Sequence, residues 1–150
     1  MKKLLLNSLT TAFFLSLTVL MACGGKDDDT PDLTVAEEQF QLLEGTWTLS
    51  SVTNEGNQVS GWEGFTLTVG GSASSVSLTA GGTQPDGTTE VWSSGNATFP
   101  SEDSASTLTR ADGVEVAITV SESQLTTSFT IAAAGRAEVV EGAWTFTFTK

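Results

Sequence analysis

Past Gly45 the chain alternates apolar and polar residues with a period of two, and that period decides most of what it can fold into. Trp47 and Leu49 alternate with Thr46, Thr48 and Ser50, and Phe65, Leu67 and Val69 with Thr66 and Thr68. Val76 and Leu78 repeat the pattern, as do Val114, Val116, Ile118 and Val120. Leu125, Phe129 and Ile131 oppose Thr126, Ser128 and Thr130, and Trp144, Phe146 and Phe148 oppose Thr145, Thr147 and Thr149. Successive side chains of a strand point to opposite faces, so each segment has one dry face and one wet one. Threonine suits the wet face, because its branched Cβ favours extended backbone while its hydroxyl stays solvated.

Weaker segments at 89–93, 95–99 and 105–110 are expected to add strands. The separators are turn-rich: 54–61, Gly70-Gly71-Ser72, 81–88 with Pro85-Asp86-Gly87, Ala111-Asp112-Gly113 and Ala134-Gly135. With no helical period between them, the strands must connect antiparallel. The expected fold is all-β: a small antiparallel barrel of about eight strands, in which closure removes the exposed edges. A two-sheet sandwich is the alternative.

One helical signal precedes the strands. Thr34-Val35-Ala36-Glu37 has capping-box spacing, and Phe40 and Leu43 share a face. A short helix over 34–43, stopped by Gly45, is expected to plug one end of the domain.

The amino terminus reads as an address. Met1-Lys2-Lys3 is a basic start, and Leu4 to Leu20 is apolar but diluted by Asn7, Ser8, Thr10 and Thr11. That dilution fits a cleaved secretory segment better than a retained membrane helix. Leu20-Met21-Ala22-Cys23 resembles the lipobox of bacterial lipoproteins. The resemblance implies cleavage between Ala22 and Cys23, and acylation of Cys23. Two or three acyl chains hold a protein durably where one does not, at about 0.8 kcal/mol per buried CH₂. Gly24 stands where an aspartate would signal inner-membrane retention, and Lys26-Asp27-Asp28-Asp29 is similar to an acidic export signal of surface lipoproteins. The expected organisation is a signal peptide over 1–22, a lipidated acidic tether over 23–33 and a barrel domain over 34–150. The expected location is the outer membrane, lipid-anchored and surface-exposed.

Charge and absent residues exclude several functions. Removing Lys2 and Lys3 with the signal takes the net charge from −12 to −14. A chain this acidic repels phosphate backbones, so no nucleic-acid partner is expected, and adsorption to anionic lipid is opposed. There is no histidine and no tyrosine, and Cys23 is the single cysteine. Nucleophile–histidine catalysis and His- or Cys-based zinc sites therefore lack their residues. No catalytic residue, metal or cofactor is expected. The carboxylate pairs Asp112/Glu115 and Glu138/Glu141 read as solvated loop charge.

Leu43-Glu44-Gly45-Thr46-Trp47 resembles the Gly-x-Trp start of the first strand in lipocalins, and Gly64-Phe65-Thr66-Leu67 and Gly142-Ala143-Trp144-Thr145-Phe146 extend the likeness over about residues 38–150. The lipocalin Thr-Asp-Tyr motif has no counterpart in a chain without tyrosine. Nor does the arginine that packs on the first-strand tryptophan, since Arg110 and Arg136 both sit beside turns. What the resemblance implies is a non-enzymatic, lipid-anchored lipocalin-like binding module for a small apolar or amphipathic ligand. On that reading Phe65, Leu67, Phe129 and Phe146 are the candidate lining residues. Trp62, between Gly61 and Glu63-Gly64, is the candidate mouth contact, or else folds back over the mouth. The alternative is a structural or interaction lipoprotein with a fully packed barrel, because eight strands enclose barely more than their own side chains. Trp47 and Trp144 fall in phase as core. Asp103-Ser104-Ala105 marks Ser104 as a candidate for O-glycosylation.

Overall fold

The computed structural model describes residues 32–89, 91–132 and 140–150. The signal segment and the tether up to Pro31, with Ala22 and Cys23, lie outside the described residues, as do Ala134-Gly135, Arg136 and Glu138. Asp32–Lys150 forms one compact unit.

Helix α1 (Val35–Leu43) begins where the capping box placed it. Thr34 Oγ1 accepts from the Glu37 amide at 3.2 Å, and Glu37 Oε2 accepts from the Thr34 amide at 2.8 Å. Ala36, Phe40 and Leu43 form its inward stripe. The helix ends at Leu43, as expected, with Glu44 as cap; Gly45, at φ 124°, already belongs to β1.

Nine strands follow: β1 (Gly45–Asn54), β2 (Asn57–Gln58), β3 (Thr66–Ser72), β4 (Ser75–Gly81), β5 (Gly95–Thr98), β6 (Thr107–Arg110), β7 (Glu115–Val120), β8 (Gln124–Ile131) and β9 (Gly142–Thr149). All pairings are antiparallel, and β3 to β9 join neighbour to neighbour. Strand β1 closes the ring. Its first half pairs with β3, Trp47 opposite Leu67, and its second half pairs with β9, Val52 opposite Phe146. A bulge between Leu49 and Ser51 sits where β1 turns from one partner to the other. Strand β2 is a two-residue flap on β1. The result is a closed eight-stranded barrel of lipocalin-like architecture, and the β1–β9 ladder excludes the two-sheet sandwich.

Two sequence expectations need correction. The described residues of the 89–93 segment form no strand: Val91 bonds back to Thr88 in a turn, and β4 pairs directly with β5. Val91 and Trp92 instead fold inward over the barrel end. Gly70-Gly71-Ser72 is not a separator either; it finishes β3, and the hairpin turns at Ala73-Ser74.

The ends close differently. Helix α1 covers the end formed by the β3–β4 hairpin, the β5–β6 loop and the β7–β8 turn, with the Ala36 amide donating to the Glu102 carbonyl at 3.0 Å. Trp47 Nε1 donates to the Leu43 carbonyl at 2.7 Å, and Lys150 Nζ lies 4.4 Å from the centre of the Trp47 ring while donating to the Leu42 carbonyl. Lys150 thus sets a cation over the first-strand tryptophan. At the opposite end, the loop after β4 turns at Gly82, whose φ is +80°. A Cβ there would run into the carbonyl of Gly64. Gly82→Ala is therefore expected to cost at least about 1–2 kcal/mol, from left-handed backbone alone. A thermal melt lowered by several degrees checks it.

Candidate functional site

The alternation carries the candidate lining residues inward, as read from sequence. Phe65, Leu67, Phe129 and Phe146 are all buried, and all belong to one core cluster. Phe146 occupies the centre. Its ring lies 5.8 Å from Phe129, nearly parallel at 7°, and between Trp144 at 5.9 Å and Phe148 at 6.1 Å on its own strand. Trp62 and Trp92 meet it edge-on at 5.0 and 6.0 Å, and Phe65 lies 6.3 Å away. Six aromatic neighbours surround one ring. Offset-stacked and edge-to-face pairs are the arrangements ring quadrupoles favour.

Trp62 is not an exposed mouth contact. Only 4% of it is accessible, and its ring sits edge-on to Phe65 at 89° and beside Trp144. A left-handed turn at Gly61, packed against Pro85, sends the chain back over the barrel end. Trp62, Val91, Trp92 and Val140 all arrive from outside the strands, and together they stopper the end opposite α1. The indole N–H groups of Trp62 and Trp92 and the Thr127 hydroxyl have no hydrogen-bond partner among the described residues. For the indoles, the edge-on packing sets the positive rim of one ring against the negative face of another.

Arg110 is the functional-looking residue that sequence reasoning missed. It ends β6 beside the 111–113 turn, as the sequence places it, with its side chain buried under the stopper. Nη1 donates to the Val91 carbonyl at 2.6 Å, and Nη2 donates to Asp112 Oδ2 at 2.7 Å. The guanidinium lies 5.3 Å from the Trp92 ring centre and 5.5 Å from that of Phe129. The signal was available: Arg110 follows Leu108 at a spacing of two, and so falls in the inward register.

The clefts found among the described residues open to solvent. One of about 650 Å³ lies on the outer wall where the β7–β8 ladder ends at Ala117 opposite Ser128. Beyond that pair the strands part, and Thr107, Asp112, Glu115 and Thr130 line the groove. Smaller surface clefts measure about 230–270 Å³. Asp112, which sequence grouped with Glu115, spends its charge on Arg110. No group of three or more potential metal ligands gathers among the described residues. Ser104 lies half-buried in the β5–β6 loop, beside exposed Asp103.

Comparison with protein-family models, with curated proteins and with solved structures finds no match in any of the three.

Proposed function

We propose that this chain is a non-enzymatic, lipid-anchored outer-membrane module whose packed lipocalin-like barrel serves as a rigid support for surface contacts. The observation that carries the proposal is Phe146, wholly buried inside the barrel with six aromatic neighbours. An eight-stranded barrel either fills with side chains or holds one small molecule, and these side chains favour the first. The sequence supports the anchor: the lipobox-like Leu20-Met21-Ala22-Cys23, the missing retention aspartate at Gly24, and the acidic Lys26-Asp27-Asp28-Asp29. It also supports the non-enzymatic reading, since a chain without histidine lacks the commonest general base.

Two measurements test it. Native mass spectrometry of the protein from its own host is expected to return the chain plus acyl groups only; a retained lipid or pigment overturns the packed-barrel reading. Cys23→Ser is expected to move the protein from the membrane fraction to the soluble one, and continued membrane association refutes the anchor.

A further inference from the structure

Among the described residues, the large apolar side chains left in water are Leu33 at 48% exposure, Val35 at 47% and Leu42 at 37%. All three lie on α1 or immediately before it. Val35 and Leu42 are seven residues apart, two helical turns, and so fall on one outward stripe. The neighbouring stripe, Ala36, Phe40 and Leu43, is already committed to the barrel, which leaves Val35 and Leu42 on the exposed flank of the helix. The wall of the barrel shows the reverse habit, with Thr46, Thr68, Thr79 and Thr130 turned to solvent. Exposed apolar residues scattered singly need no explanation, but a set gathered at one end of a molecule marks a contact.

We infer that Leu33, Val35 and Leu42 rest on the lipid surface that holds the amino terminus, so that the barrel stands on its α1 end with the Arg110 end pointing away. The inference rests on the lipid-anchor reading. Residues 23–31 number nine, and a chain of that length spans at most about 30 Å when fully extended. The anchor therefore keeps Leu33 within one short tether of the headgroups. Contact along a helix stripe at the headgroup–acyl boundary is the usual mode for an interfacial helix. Charge selects the lipid. Asp32, Glu37, Glu38 and Glu44 are exposed on the same segment, while Lys150, the cation packed against the helix, donates to the Leu42 carbonyl. Anionic headgroups are repelled, so the favoured surface is zwitterionic.

The test uses the full, acylated chain in phosphatidylcholine vesicles. Its single cysteine is consumed by acylation, so a nitroxide on V35C or on D86C, in the exposed loop at the far end, labels one site only. The ratio of collision with lipid-soluble oxygen to collision with a water-soluble nickel chelate is expected to be at least threefold higher at position 35 than at position 86. Replacing a third of the lipid with phosphatidylglycerol is expected to lower the position-35 ratio. With the label moved to exposed Gln41, the V35S/L42S pair is expected to bring its ratio down to the position-86 value. Vesicles that float with the protein but give equal ratios at 35 and 86 overturn this inference and leave the anchor standing. Protein that does not float overturns both. Broadening of the position-35 signal that dilution with unlabelled protein removes assigns the stripe to a second copy, and also overturns it.

Discussion

Phe146→Ala is expected to lower the unfolding free energy by about 3–5 kcal/mol, out of the roughly 5–15 kcal/mol typical of a domain. The loss falls at the upper end of what a buried phenylalanine contributes because the site cannot collapse. Strand β9 is held on both sides, with Phe146 opposite Thr127 of β8 and opposite Val52 of β1. It cannot move inward without breaking a ladder on each flank. The neighbours are equally constrained, since Trp144 Nε1 is bonded to the Val140 carbonyl at 3.0 Å and Phe129 is stacked beneath Arg110. Urea unfolding should show the midpoint falling with the slope unchanged, the mark of lost stability without a changed native surface. The cavity left behind would be walled by aromatic rings and dry, the kind that takes up benzene. Benzene should therefore raise the melting temperature of Phe146→Ala and leave the parent unmoved. A loss below about 1 kcal/mol, or a benzene response in the parent, would mean that the interior already holds a void. Ligand storage would then return as the better reading.

The residues explain why the strands could be read in advance and the stopper could not. Alternation is a local signal, and β1, β3, β4, β7, β8 and β9 all carry it; the capping box at Thr34 and Glu37 is equally local and equally well kept. Closure is not local. Val52 pairs with Phe146 across more than half the chain, and nothing near either residue says so. The barrel was expected from the general penalty on open edges, which names no partners. Whether a barrel is hollow depends on residues outside the alternation. Trp62, Val91, Trp92 and Val140 come from loops, where no period fixes which way a side chain points. The strand residues alone leave both outcomes open, and the loop residues fill the end that the strands leave. For Trp62 the flanking glycines leave two outcomes open in the sequence, an exposed turn or a ring folded over the mouth, and the positive φ angles of Gly61 and Gly64 give the second. At the other end, the cation over the Trp47 ring is Lys150, the final residue of the sequence, and no local pattern pairs it with a tryptophan more than a hundred positions away.

Replacing Arg110 with methionine should produce the second large effect, a loss of about 2–4 kcal/mol concentrated in one loop. Methionine keeps the apolar stem and removes the charge, so it separates packing from hydrogen bonding. The Val91 carbonyl loses a 2.6 Å bond from a buried guanidinium, and an unpaired buried carbonyl costs about 1–3 kcal/mol. The contacts over Trp92 and Phe129 add about 1 kcal/mol. The pair with Asp112 adds little, because that carboxylate is 33% exposed and water screens it. Asp112→Asn should accordingly cost less than about 1 kcal/mol. Lysine is not an adequate substitute, since its compact ammonium cannot fork to Val91 and Asp112 while staying over the Trp92 ring; Arg110→Lys should recover no more than half of the loss. The location of the effect is the sharper measurement. Arg110 ties the loop carrying Val91 to the end of β6, so amide exchange should accelerate over residues 91–95 in Arg110→Met. The amides of β8 and β9 near Phe146 should keep their protection relative to global unfolding. Uniform acceleration across all strands would place Arg110 in the global core instead, and unchanged exchange at 91–95 would show that the loop is held inward by Trp92 alone.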